Sequence, residues 1–156
     1  MITTVECILF LRQVPLLAGF SVDELWQVAK VVEQASFEKD ETFISEGDVG
    51  DALFLILSGE VLVHQGEKDL NRHGAGGMIG ELALLDGQPR SASVTALTDV
   101  EVLKIDRGHF EDIMHANPAA ALGVIKVLTR RLRILSDLTS GLTTDQLAAL
   151  ANHEPQ

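Results

Sequence analysis

Cysteine, aromatic residues and positive charge are all scarce in this chain of 156 residues. Cys7 is the only cysteine, so the chain can form neither an internal disulfide nor a multi-cysteine metal site, which is typical of a reducing cytoplasm. One Trp, no Tyr and an aromatic content of 4% argue against a stacking platform for single-stranded nucleic acid. The formal net charge of −11 repels nucleic acids and anionic lipid at long range.

Long apolar runs are missing as well. The run Cys7–Leu11 is stopped by Arg12, which leaves it too short for a signal sequence or a membrane span. We therefore expect a cytoplasmic protein whose partners include neither nucleic acid nor membrane. A chain of this length, with 46% apolar residues, is expected to form one domain over residues 1–156 with a core of its own.

Helical patterns occupy both ends of the chain. N-terminal helices are predicted within residues 3–30, where Ser21 and Glu24 have the spacing of a capping box. C-terminal helices are predicted over residues 107–152. Their predicted start signals are Asp106, Asn117 before Pro118, and the pair Thr143 and Gln146.

Between the helices, residues 31–106 show a period of two and closely spaced turn signals, which predicts a run of short strands. The predicted strands are Gln34–Phe37, Thr42–Ser45, Ala52–Ser58, Glu60–His64, Ser91–Leu97 and Val100–Ile105. Many short strands between helices indicate an α+β fold: an antiparallel, jelly-roll-like β-roll with flanking helices.

The most informative stretch is Gly80–Val94, which we call the cassette. Glycines lead into a short apolar turn, and Pro89 then introduces a lone arginine, Arg90. Glycines let backbone N–H groups converge, and a guanidinium supplies a fork of donors, so together they favour binding of an anion such as a phosphate. Glu81 provides a carboxylate close by.

The cassette closely resembles the phosphate-binding cassette of cyclic-nucleotide-binding domains, as in catabolite-activator-type regulators and protein kinase A regulatory subunits. The similarity extends upstream through Gly47–Val61 and downstream to the helix with Arg130 and Arg131. It covers Pro15–Leu138 and implies the same order of helices, β-roll and helices. It also implies a regulatory module that binds cAMP or cGMP, needs no other cofactor, and transmits binding through its C-terminal helices.

The resemblance assigns roles to individual residues. Those expected at the phosphate are Arg90, Ser91, Ala92 and Ala83, and those expected at the ribose are Gly80, Glu81 and Leu82. The base pocket is expected to include Val63, Leu70, Ile79, Arg131 and Leu135. Ser91 is compatible with either base, and Leu135 stands where a threonine is expected, so cAMP is favoured over cGMP by analogy alone.

Other functions remain open at this point. The β-roll could instead be an interaction or dimerisation domain that does not bind nucleotide. The apolar stripe of residues 118–138 fits either packing on its own domain or a homodimer seam. An effector domain could be fused or separate, and the chain could stand alone or be a piece of a larger protein.

We expect no enzyme activity, no catalytic residues and no metal site. A hydrolase would require a metal cluster or an activated nucleophile, and the sequence shows neither. The histidines are scattered and do not have the spacing of a metal site; they are His64, His73, His109, His115 and His153.

Overall fold

The structure, a computed structural model, describes residues 1–152, without the side chains of residues 150 and 151. His153 lies outside the described residues. The first elements are α1 (Thr4–Leu11), a 3₁₀ turn (Pro15–Leu17) and α2 (Val22–Ala29). The strands are β1 (Glu33–Phe37), β2 (Thr42–Ile44), β3 (Ala52–Ser58), β4 (Val61–Gln65), β5 (Lys68–His73), β6 (Met78–Ile79), β7 (Ser93–Ala96) and β8 (Val100–Asp106). The helices that complete the fold are α3 (Ala83–Asp86), α4 (Arg107–Ala116), α5 (Pro118–Thr139) and α6 (Thr144–Ala151).

Two four-stranded sheets face each other to form the roll, with strand orders β1-β8-β3-β6 and β2-β7-β4-β5. All strand pairs within them are antiparallel. The predicted α+β architecture, an antiparallel β-roll with helices before and after it, is confirmed. The cassette fills the connection from β6 to β7 and contains α3.

Two strands were missed by the sequence analysis, and both lie at sheet edges. The residues of β5 are almost all exposed, so this strand lacks the apolar alternation that marks a half-buried strand. Strand β6 is only two residues long. The predicted strand Ser91–Leu97 is also shorter, since β7 begins at Ser93 and leaves Ser91 in the cassette.

The core consists of two clusters that share strand β3. Leu53 and Leu55 pack into the cluster beneath the helices, whereas Phe54 and Ile56 point into the roll. Because alternate residues of a strand face opposite sides, burial of both faces explains why β3 is a continuous apolar run. On the helical side, the fully buried Phe110 of α4 anchors this arrangement.

Helix starts follow the predicted caps in most cases. At α2, the Ser21 hydroxyl accepts from Glu24 N, and the Glu24 carboxylate accepts from Ser21 N. The pair Thr143 and Gln146 forms the same reciprocal bonds before α6. The Asp106 carboxylate accepts two backbone bonds at the start of α4.

Asn117 is a correction. It precedes α5 as predicted, but its side chain does not cap that helix. The amide instead donates to Gln27 Oε1 and to the carbonyl of Ile113, both at 2.8 Å. A long-range partner on α2 therefore replaced the local bond that the sequence suggested.

Helix α5 crosses the N-terminal segment at very close range. A Cβ added to Gly19 would lie 3.0 Å from Gly123 Cα, and a Cβ added to Gly123 would lie nearly as close to Gly19 Cα. Beyond this crossing the second half of α5 extends with an exposed apolar side, and Leu138 is 74% exposed. Among residues 1–152, no helix combines the length and apolarity needed to cross a bilayer.

Candidate functional site

The cassette folds tightly because two glycines adopt backbone conformations that other residues avoid. Gly80 has φ of 75° and Gly87 has φ of 59°, one on each side of α3. A Cβ on Gly80 would collide with the guanidinium of Arg90. The lack of a side chain at Gly80 therefore allows the arginine to lie directly against the cassette backbone.

Arg90 is buried, with 7% of its surface exposed, and is the one buried charged residue in the described part of the chain. Its Nη2 donates to the carbonyl of Ala52 at 2.6 Å. Within the described residues, no carboxylate lies within 4.0 Å of this guanidinium, and four of its five N–H donors have no protein acceptor. A buried cation with unused donors is the natural counterpart of an anion.

The electrostatics of Arg90 are consistent with that geometry. Burial lowers the pKa of the guanidinium, and the nearby carboxylates of Asp51 and Asp86 only partly oppose this effect. The charged form is thus disfavoured by desolvation at this position. An anion bound in contact with the guanidinium would restore the lost stabilisation.

The backbone around Arg90 is held in place by the loop that precedes β3. Arg90 N donates to the carbonyl of Asp48 at 2.6 Å, and Gly47 N donates to the carbonyl of Arg90 at 2.8 Å. Gln65, at the end of β4, donates from Nε2 to the carbonyl of Ser91 at 2.8 Å. Contacts on both sides therefore fix the strand segment that presents the guanidinium.

A cleft of about 290 Å³ opens between the cassette and α5. It is lined by Met78, Gly80, Glu81, Leu82, Ala83, Asp86, Gln88, Pro89, Arg90, Ser91 and Arg131. This volume is close to the lower end of the range for small-molecule sites. The cleft combines backbone groups, charged side chains and apolar contacts.

Glu81 joins three parts of the molecule. Its Oε1 accepts from Arg131 Nη2 at 2.9 Å and from Leu16 N at 3.2 Å. The carboxylate therefore connects the cassette both to α5 and to the 3₁₀ turn. The sequence analysis missed this pair, because residues 50 positions apart give no signal beyond opposite charge.

The structure brings seven of the predicted site residues together at the cleft: Gly80, Glu81, Leu82, Ala83, Arg90, Ser91 and Arg131. Ala92 is fully buried next to them. The remaining residues assigned to the base pocket do not line the cleft. Val63 and Ile79 are core residues of the roll, while Leu70 and Leu135 are 42% and 55% exposed.

No histidine among the described residues lines this cleft. His64 bonds through Nδ1 to the carbonyl of Gly66 and through Nε2 to the hydroxyl of Thr95, both at 2.8 Å. Over residues 1–152, no three His, Cys, Asp or Glu side chains lie together in a way that could hold a metal ion.

Known proteins of one family are similar in sequence to this chain. The sequence model of the family described as "Cyclic nucleotide-binding domain" matches residues 34–117. A cAMP-dependent protein kinase regulatory subunit of Hypocrea atroviridis is 33% identical over 138 residues, which is 88% of this chain and 28% of that protein. The chain spans between about a quarter and just over half of the length of the curated relatives it matches.

Solved structures share the fold. The N-terminal domain of a transcriptional regulator from Streptomyces coelicolor is 29% identical, with a TM-score of 0.78, over 86% of this chain and 96% of that one. The regulatory subunit of a cAMP-independent protein kinase A from Trypanosoma brucei is 32% identical, with a TM-score of 0.67, over 83% and 46% of the two chains. The matched relatives include regulatory subunits and transcriptional regulators. The family match, the β-roll and the buried arginine of the cassette together identify the chain as a member of the cyclic nucleotide-binding domain family.

Proposed function

We propose that the cleft binds a cyclic mononucleotide and that cAMP is favoured over cGMP. The observation that carries the proposal is the buried guanidinium of Arg90, which lines the cleft and has four donors without a protein acceptor among the described residues. A cyclic phosphodiester offers two non-bridging oxygens that a guanidinium can hold at once. Ser91, Ala92 and Ala83 are proposed to complete the phosphate contacts.

The ribose is proposed to lie against Glu81, whose carboxylate would accept from the 2′-hydroxyl. Backbone groups of Gly80 and Leu82 are proposed to contribute to the same subsite, since both residues line the cleft. Arg131 also lines the cleft, which supports its proposed position near the base. The assignment of Val63, Leu70, Ile79 and Leu135 to the base pocket stays a prediction.

The preference for cAMP draws its support from the relatives. A regulatory subunit named for its cAMP dependence covers 88% of this chain. Leu135 stands where the family resemblance leads one to expect a threonine, and it does not line the cleft, so this position favours neither base.

The effect of ligand binding is proposed to reach α5 through the contact between Glu81 and this helix. A ribose hydroxyl that bonds to Glu81 adds a donor to the carboxylate whose Oε1 already accepts from Arg131 Nη2 at 2.9 Å, and it therefore perturbs this pair. Any ligand that changes this pair changes the free energy of the α5 position relative to the roll. Such a difference in free energy is what a regulatory response requires.

The wider setting is part of the same proposal. We assign residues 1–156 to one domain of a cytoplasmic regulatory protein that is not an enzyme. Its output would pass to an effector domain, fused or separate. The exposed apolar side of α5 supports a homodimer through residues 118–138 as a further proposal.

A β-roll that does not bind nucleotide is the second candidate. One similar structure belongs to a kinase described as cAMP-independent, so the fold does not by itself require this ligand. In the present chain Glu81 also has two protein partners already. In this alternative the domain would act through protein contacts alone.

Thermal unfolding with cAMP, cGMP and AMP separates the candidates. A ligand at 100 times its dissociation constant stabilises by about 2.7 kcal/mol, which is a visible shift for one domain. A shift with cAMP that exceeds the cGMP shift, and that vanishes in Arg90→Ala, supports the proposal. No shift with any nucleotide favours the interaction domain, and recovery of AMP from cAMP would reveal an enzyme.

A further inference from the structure

We propose that Asp86 is a specificity-determining residue that makes the cleft select singly charged phosphodiesters against doubly charged phosphomonoesters. This inference rests on the proposed function, because it assumes that the phosphate lies against Arg90.

Asp86 lies at the C-terminal end of α3 and lines the same cleft as Arg90. Its Oδ1 accepts from Gln88 N at 3.1 Å, which fixes the carboxylate at the turn before Pro89. Among the described residues, no cation lies within 4.0 Å of it. The nearby guanidinium of Arg107 covers Gly87 but pairs with Glu111, at 3.9 Å.

Among the residues that the structure describes, four charged side chains line the cleft: Glu81, Asp86, Arg90 and Arg131. Glu81 and Arg131 form an ion pair and largely cancel. This leaves one cation and one anion to act on an incoming phosphate. A second negative charge on the ligand therefore meets the Asp86 carboxylate without a second cation to offset it.

The carboxylate interacts electrostatically with the site. Burial lowers the pKa of Arg90, and Asp51 and Asp86 both act in the opposite direction, so the field of Asp86 reaches the guanidinium. Asp51 lies in a second cavity behind Arg90 and does not line the cleft. Because Asp86 is exposed, water screens it, and Coulomb's law then gives a discrimination of about threefold to tenfold per ligand charge.

Asp86→Asn tests this directly, since the asparagine keeps the oxygen that accepts from Gln88 N and loses only the charge. Affinities are measured by displacement of a fluorescent cAMP analogue at pH 7.5, with cAMP, 5′-AMP and the methyl ester of 5′-AMP as competitors. At this pH a phosphomonoester carries close to two negative charges, whereas its methyl ester and cAMP carry one. The two linear ligands thus differ in charge and share a scaffold.

The affinity of the ester relative to that of 5′-AMP is expected to be about threefold to tenfold higher in the unmodified protein than in Asp86→Asn. Asp69→Asn is the matched control. It removes one negative charge from an exposed position on β5 and lies outside the cleft, so the ratio should be unchanged.

Two results overturn the inference in distinguishable ways. If cAMP binds but the ratio of the two linear ligands is the same in Asp86→Asn and the unmodified protein, Asp86 does not set specificity and the proposed function survives. If neither the fluorescent analogue nor cAMP binds to the unmodified protein, the proposed function fails, and this inference fails with it.

Discussion

Arg131 Nη2 lies 2.9 Å from Glu81 Oε1, so the longest helix of the molecule is bonded to the residue that the family resemblance places at the ribose. The same oxygen accepts from Leu16 N. One carboxylate thus contacts the C-terminal helix and the N-terminal turn at the mouth of the cleft.

Removal of the buried guanidinium should abolish most of the binding. Arg90→Ala is expected to weaken cAMP binding by about 2–5 kcal/mol, the range for truncating one member of a desolvated charge pair. Arg90→Lys should also weaken binding, because an ammonium cannot contact two phosphate oxygens as a planar fork does. Isothermal titration calorimetry measures both, and equal affinity in Arg90→Ala and the unmodified protein would refute the assigned role.

The role of Glu81 can be tested through the sugar. The unmodified protein should bind cAMP more tightly than 2′-deoxy-cAMP by about 1.5–3 kcal/mol, the contribution of a hydrogen bond to a charged group. Glu81→Gln should reduce that difference, since an amide oxygen is a weaker acceptor than a carboxylate. Calorimetry with both nucleotides gives the comparison. A preference for the ribose form that persists in full in Glu81→Gln would exclude this contact.

Arg131→Ala should uncouple α5 from the cleft. The pair is partly exposed, so its loss is expected to cost about 1 kcal/mol of stability or less. Hydrogen exchange of residues 124–139, with and without cAMP, reports the coupling. The change on adding cAMP should be smaller in Arg131→Ala than in the control Arg130→Ala, which removes an exposed cation from the next position. Identical responses in the two variants would argue against this route.

Gly80→Ala should damage both stability and binding. The substitution places a side chain at φ of 75° and against the Arg90 guanidinium. The control is Gly66→Ala, at φ of 56° with no atom within 4 Å of an added Cβ. Backbone strain alone should cost the control about 1 kcal/mol and leave cAMP affinity intact. Thermal unfolding and calorimetry should show a larger loss of both in Gly80→Ala, and matching losses would contradict the steric argument.

Features that depend on residues close in sequence could be predicted, whereas contacts between distant residues could not. The capping box of Ser21 and Glu24 involves residues three apart, so its spacing suffices to place the start of α2. The cassette was also recognisable, because its glycines, Glu81 and Arg90 are close in sequence. The edge strand β5 was not, since neither of its faces is buried and its polar residues resemble those of a loop.

Pairings between distant segments account for the other misses. Asn117 looked like a local cap, but Gln27 competes for its amide from 90 positions away. The ion pair of Arg131 with Glu81 joins residues 50 positions apart and was not predicted either. Such choices depend on which helices pack together, and neither spacing nor composition encodes that packing.

The tight crossing of Gly19 and Gly123 couples the N-terminal segment mechanically to α5. No side chain is available there to rotate and absorb a displacement, so a tilt of α5 must push on the N-terminal segment. We therefore expect a tilt of α5 to displace the 3₁₀ turn through this contact. A spectroscopic label on α1, which does not line the cleft, would then report the movement of α5.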